Sequence, residues 1–395
     1  MKKSTLSSYE NKKRGMAPFI LLMSLMLVWC GAQTSQGKSD DRGIKLDAAS
    51  VDRKVYETAR FLGGRDISTN SSLYKYTEGA VYRAYKKRMD TAWSRLQEVN
   101  QPKIIAWRDK YLPKKYTDTV FYPFSGPDII NALLFFPDGT EYIMFGLESP
   151  GAVPKAHEVP EQGLQAGLSG LSLALDNVLN VNYFKTVRME KEISTNSFNS
   201  ITSVIMFFLS RMDYEVLAAK PVWIDGASAL LYEKPSKRDP RLVSGVELLF
   251  RKGSDGPVKR VRYFQLNVID NSLKTYTNFI PYLETYGRYT TIIKSASYLM
   301  HNTLKFTKIR ALTLSHSDYI LQDESGVALR YYDPKVWKLS FHGVYTKPVP
   351  LFANRYQPDF AKVMKEKSTG PLPFSYGYNF RENESNLMFA ERIKE

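Results

Sequence analysis

Three stretches decide the fold class: Val246-Glu-Leu-Leu-Phe-Arg251, Gly253-Ser-Asp-Gly-Pro257 and Val261-Arg-Tyr-Phe-Gln-Leu-Asn-Val-Ile269. The outer two are β-rich runs. The Gly-, Asp- and Pro-bearing stretch between them reads as a hairpin connection. The second run alternates imperfectly, which fits a strand buried on both faces for part of its length. An antiparallel sheet is therefore expected over residues 215–262.

Working upstream, residues 47–112 carry a helical pattern. Val55, Ala59 and Leu62 recur at helical spacing and stop at Gly63-Gly64. Tyr74, Val81, Tyr85, Met89, Trp93 and Leu96 mark a longer helix within residues 72–97, and Pro102 opens a shorter one. Thr119-Val-Phe-Tyr122 reads as a strand, Asp128 as the cap of a helix over residues 129–135, and residues 141–147 as a second strand. Helices are expected at 161–179 and 197–212.

Downstream, the pattern favours a helix at 289–301, strands at 309–314, 327–332 and 337–345, and a helix at 358–367. The Pro-, Gly- and Tyr-rich tail after Gly370 is expected to lie along the surface. Runs of helix followed by runs of strand give an α+β class. The expectation is a helical N-terminal part, packed on or beside a mixed, largely antiparallel sheet body (residues 113–395) with flanking helices.

The N-terminus points to export. Lys2, Lys3, Lys12, Lys13 and Arg14 precede an apolar run of about fourteen residues, which exits into Cys30-Gly-Ala32. Basic, apolar and small-residue regions in this order form a secretory signal peptide over residues 1–32. The run is short of the roughly 20 residues a spanning helix needs. Cys30, the only cysteine, sits where bacterial lipoproteins carry their lipid, although Trp29 departs from the small residue that pattern places before it. Lipidation at Cys30 and ordinary cleavage after Ala32 both remain open, and residues 33–46 read as a disordered tether.

The chain of 395 residues is 43% hydrophobic and 13% aromatic, enough to bury a large core without disulfides. Its net charge is +15. The leader removes five basic residues and one acid, a net four, so the remainder carries +11. Such a balance favours an anionic envelope surface or an envelope protein as partner, and outside the cytoplasm no nucleic acid is expected. A lipidated Cys30 would add a membrane anchor.

Catalytic signatures are sparse. There is no G-x-S-x-G elbow, no H-E-x-x-H, no P-loop and no G-x-G-x-x-G turn, so neither cofactor nor metal is expected. Ser315-His316-Ser317-Asp318 and Gln322-Asp323-Glu324-Ser325-Gly326 are the exceptions. His316 would act as general base, Asp318 or Asp323 would orient it, and Ser325 would be the nucleophile. The competing reading is a capped turn in which Asp323 and Ser325 bond backbone amides. Asp128 and Glu148, each just after a short strand, form a candidate carboxylate pair for glycosidic cleavage, with Asp128 equally suited to cap its helix.

Several phrases resemble an uncharacterised family of exported bacterial proteins. They are Tyr122-Pro-Phe-Ser-Gly-Pro-Asp128, Ile320-Leu-Gln-Asp-Glu-Ser-Gly326, Asn354-Arg-Tyr-Gln-Pro-Asp359, Pro371-Leu-Pro-Phe-Ser-Tyr-Gly-Tyr378 and Glu384-Ser-Asn-Leu387. The likeness covers the last two-thirds of the chain and implies bacterial origin and export, with no activity attached. The expected function is a cell-envelope binding or structural lipoprotein. The alternative is a periplasmic or secreted hydrolase acting on envelope or nutrient polymers.

Overall fold

Asp52 starts the first helix because its carboxylate accepts the backbone N–H groups of Lys54 and Val55, two donors no helical carbonyl can reach. The computed structural model describes residues 51–181, 198 and 200–393. The signal peptide, Cys30, Ala32 and the tether lie outside the described residues.

The helical part consists of α1 (Arg53–Leu62), the short α2 (Tyr74–Thr77), α3 (Ala80–Arg95) and α4 (Gln101–Tyr111), the last two joined by a π-turn at Leu96–Asn100. It packs on the body through one shared core. Phe61 stacks on Tyr82, Trp93 meets Phe207 edge-on, and Trp107 meets Phe135 and Phe374 edge-on.

The body then runs β1 (Thr119–Tyr122), α5 (Ile129–Phe135), β2 (Glu141–Gly146), α6 (Glu161–Val181), α7 (Ile201–Arg211), β3 (Tyr214–Ile224), β4 (Leu230–Leu231), β5 (Val243–Lys252) and β6 (Lys259–Gln265). After these come α8 (Phe279–Glu284), β7 (Tyr289–Ile293), α9 (Thr307–His316), β8 (Ser317–Gln322), β9 (Trp337–Gly343), α10 (Pro358–Lys367) and β10 (Asn386–Arg392). Every residue of α7 is buried, Thr202, Ser203, Ser210 and Arg211 included, so this helix runs inside the core.

The strands form one mixed sheet in the order β4-β3-β5-β6-β2-β1-β7-β8-β10-β9. The α+β class expected from the sequence is what the chain adopts. The hairpin of β5 and β6 pairs antiparallel, from Gly245 opposite Phe264 to Phe250 opposite Lys259. At the centre, β6, β2, β1, β7 and β8 run parallel. Helices α1 and α3 to α7 share a core with one face of this sheet, while α8, α9 and α10 cover the other.

Four local expectations are corrected. Residues 289–301 are not a helix: Tyr289-Thr-Thr-Ile-Ile293 is a fully buried strand, followed by a loop with Ser295, Ser297 and Tyr298 at positive φ. Residues 309–314 are helical, because their alternation of Ile, Ala and Thr with Arg and Leu also places Ile309, Leu312 and Thr313 on one helical face, and that face is buried. Residues 327–332 form a tight turn instead of a strand. The Gln322 side chain occupies both the N–H and the C=O of Val327 that a ladder would have used. The tail is not a surface strap, since Phe374 and Tyr376 are buried and β10 lies between β8 and β9.

Candidate functional site

The connection from β1 to β2 passes through α5 on one face of the sheet, and that from β7 to β8 passes through α9 on the other. Strands β1 and β7 are neighbours, so their following loops part company above the sheet's carboxyl edge. In open sheets of parallel strands this divergence leaves a crevice, and ligands bind there.

The loop after β1 brings in Asp128, and the first residue after β7 is Lys294. Both are buried, and Lys294 Nζ lies 3.2 Å from Asp128 Oδ2. The same carboxylate accepts the Tyr122 hydroxyl at 2.9 Å and the Asn131 side-chain amide at 2.8 Å. It also caps α5 through the Asn131 backbone N–H, as its position before a helix led us to expect. Lys294 lies over the Tyr376 ring, 5.4 Å from its centre.

The turn after β8 closes the group from the other side. Asp323 Oδ2 accepts the Ser295 N–H at 2.9 Å and its Oδ1 accepts the Ser325 N–H at 2.9 Å, while Ser325 Oγ accepts the Ala296 N–H at 2.8 Å. Burial raises the Asp323 carboxyl above its ordinary range, opposed by hydrogen bonds from Ser325 and Ser295 and by the Lys294 charge. Glu324 is pushed up to about 8 by burial and then by the neighbouring Asp323 charge. Its carboxylate meets the Tyr298 hydroxyl and the Asn379 amide, its N–H donates to Asn386, and its carbonyl accepts from Gln357.

Backbone strain gathers at the same place. Phe124, Ser295, Ser297 and Tyr298 are non-glycine residues with φ of 60°, 49°, 52° and 54°. Two glycines serve specific needs. Gly377, at φ 68°, passes so close to Asp323 that a Cβ would lie 2.6 Å from Oδ2. Gly126, at φ 52°, has nothing within 4 Å of where its Cβ would be, so it faces open space.

Of the residues picked from sequence, Asp128, Asp323 and Ser325 come together here. Glu148 lies nearby, two residues past the end of β2, where its carbonyl accepts the Tyr263 hydroxyl at 2.9 Å. His316 and Asp318 do not join them. They stand at the opposite, amino end of β8, where His316 stacks on Tyr289 and Asp318 pairs with Arg288. The length of a strand separates His316 from Ser325, so the proposed base and nucleophile never meet. Asp323 and Ser325 do bond backbone amides, but in the core and across to the β7 loop instead of at a solvent-facing turn.

Lys294 was missed altogether. Its signal was available: a lysine directly after five residues suited to a doubly buried strand has nowhere to go but a buried partner.

All five phrases that carried the family resemblance contribute to this cluster, through Tyr122 and Asp128, Asp323 to Ser325, Gln357, Tyr376 and Gly377, and Asn386. No protein-family model, curated protein or solved structure matches the chain. Among the described residues, no group of His, Cys, Asp and Glu is placed to hold a metal ion, and no helix is long and apolar enough to cross a membrane. An open groove of about 340 Å³ between α8 and α9, lined by Tyr276, Ile280 and Leu312 among others, includes none of the cluster's residues.

Proposed function

We propose that the chain is an exported cell-envelope protein that binds a polar envelope component in the crevice over the β1–β7 boundary. One observation carries the reading. Two loops diverge from adjacent parallel strands, both held in left-handed conformations around a buried Lys294–Asp128 pair. Such backbone costs about 1–3 kcal/mol per residue and persists mainly where function requires the shape. Export, with lipidation at Cys30 or cleavage after Ala32, puts the partner in the envelope. The +11 charge of the remainder favours an anionic surface or an envelope protein there.

The hydrolase alternative retains one support. Glu324 holds its proton near neutral pH, as a general acid must. It is buried, however, and fully engaged with Tyr298 and Asn379.

The test is equilibrium binding of the purified chain to anionic vesicles and to solubilised envelope glycans, compared with Gly126→Trp. A Cβ at Gly126 meets no atom within 4 Å although the glycine is buried, so a large side chain there crowds the crevice, and the left-handed φ alone costs about 1–2 kcal/mol. Binding reduced at least tenfold, with a cooperative thermal transition retained, supports the crevice. Equal binding by both proteins rejects it. The mass of the mature N-terminus separates a lipid on Cys30 from a start at Gln33.

A further inference from the structure

Away from the crevice, three segments distant in sequence place a serine, a histidine and a glutamate in line. Glu57 comes from α1, Ser72 from the turn before α2, and His157 from the single turn Ala156–Glu158 in the Pro-rich loop. Ser72 is exposed, and its Oγ lies 2.7 Å from His157 Nδ1. The other ring nitrogen, Nε2, is buried without a hydrogen-bond partner and faces Glu57 Oε2 at 3.6 Å. The Glu57 and His157 side chains are only 9% and 10% exposed. The carboxylate is itself fixed, by Arg53 Nε at 2.8 Å and Ser71 Oγ at 2.5 Å.

The geometry points to a second, catalytic site here: a Ser72–His157–Glu57 relay that hydrolyses acyl esters. The roles follow from position. A serine hydroxyl is a weak nucleophile until a base within about 2.6–3.2 Å takes its proton, and Ser72 has such a base. The base must be oriented through its second nitrogen by a fixed acid, and resting distances of this kind shorten when substrate closes the site. Ser72 is the only member open to solvent, which is where a nucleophile must be and where the base and its orienting acid need not be.

In the first step Ser72 Oγ bonds to the acyl carbon and its proton passes to His157 Nδ1. The ester C–O bond breaks, and the alcohol leaves with the proton from His157. Water then attacks the acyl-serine with His157 again as base, releasing the carboxylic acid and restoring Ser72. Glu57 is a positioning residue: it holds His157 Nε2–H and stabilises the imidazolium without taking the proton.

The experiment uses the full purified chain, a fluorophosphonate probe and p-nitrophenyl acetate. One probe per chain is expected on Ser72, located by peptide mass. Labelling and ester turnover should both vanish in Ser72→Ala, whose exposed position leaves folding undisturbed. Both should fall at least about 100-fold in His157→Gln, the span general-base catalysis supplies. Glu57→Gln should lower kcat at unchanged KM, and Glu57→Asp should recover part of it, which a packing role would not predict. Asp318→Ala, in neither site, should change none of this, and because labelling and turnover read the esterase while vesicle and glycan binding read the crevice, the two fail or stand independently. A chain that takes no label at Ser72, or whose turnover survives Ser72→Ala, overturns the assignment.

Discussion

Two groups of buried charges sit on the same sheet and are built in different ways. On β2, β5 and β6, Arg262 bonds Glu247 at 2.8 Å and Glu141 at 2.9 Å, with Arg260 reaching Glu141 at 3.1 Å. These are cross-strand neighbours: Arg262 stands opposite Glu247 and Arg260 opposite Glu141. Regular strand register brings them together, and no residue of those three strands has positive φ. The Lys294–Asp128–Asp323 group is assembled instead by loops, and the loops are strained. Burial of charge alone therefore does not mark a working site. The strain around one group and not the other is what distinguishes them.

The largest test of that contrast is Arg262→Met. It leaves Glu247 and Glu141 buried without their main partner, and should cost about 3–5 kcal/mol in urea unfolding. Adding Glu247→Leu should recover most of the loss, because the pair contributes little over well-packed apolar residues. Ligand binding by the folded fraction should be unchanged; a loss would make the network part of the site.

Next in size is a pH effect confined to the crevice group. Glu324 keeps its proton up to about 8 when folded but releases it near its ordinary 4.5 when unfolded. The folded state thus binds more protons across that window, and stability falls as pH rises through it, by up to about 1.4 kcal/mol per pH unit. His301 and His342, both held down at about 4 by burial, act oppositely but only below their ordinary 6.5. Between pH 6.5 and 8 the slope therefore reports the buried Glu324–Asp323 pair, both raised by burial, and Glu324→Gln should reduce it in unfolding curves. A slope unchanged by the substitution would assign it elsewhere.

A smaller effect separates strain from contact. Ser295 has φ 49° and its buried Oγ has no hydrogen-bond partner, so Ser295→Gly should raise stability by about 1 kcal/mol while weakening binding. Ser228, at φ 64° in the turn where its N–H donates to the Asp225 carbonyl, is the control. Ser228→Gly should stabilise comparably with binding intact. The smallest change expected is Asp318→Ala. Its pair with Arg288 is partly exposed, and about 0.5 kcal/mol with no loss of function is the outcome if the amino end of β8 is structural.

Much of the fold was legible because local signals and burial agreed. Asp128 before Ile129-Ile130, the Gly- and Pro-bearing loop before β6, and Pro358 opening α10 each punctuate an element whose apolar pattern matches its final environment. The β7 loop was illegible for a physical reason. Left-handed backbone is normally announced by Gly or Asn, and here Ser295, Ser297 and Tyr298 adopt it, held by Asp323, Ser325 and the Tyr378 hydroxyl from distant segments. The site's acids could be picked out singly, since each follows a strand. Their assembly depended on Lys294 and on which strands are neighbours, and strand order across a parallel centre is set by crossovers that no local pattern records.

The position of β10 has a consequence in time. Strands β8 and β9 do not touch each other; each is bonded to β10, which comes later in the chain than both. As the polypeptide is made from its first residue onward, Trp337–Gly343, bridged on one edge only by residues 368–370, must wait for its ladder partner until Asn386–Arg392 emerges. Tyr376, which covers Lys294, arrives in the same late stretch. Commitment to the native state is thereby postponed until Asn386–Arg392 has been made. A ribosome that stops near residue 380 leaves a product with an open sheet and a half-built crevice.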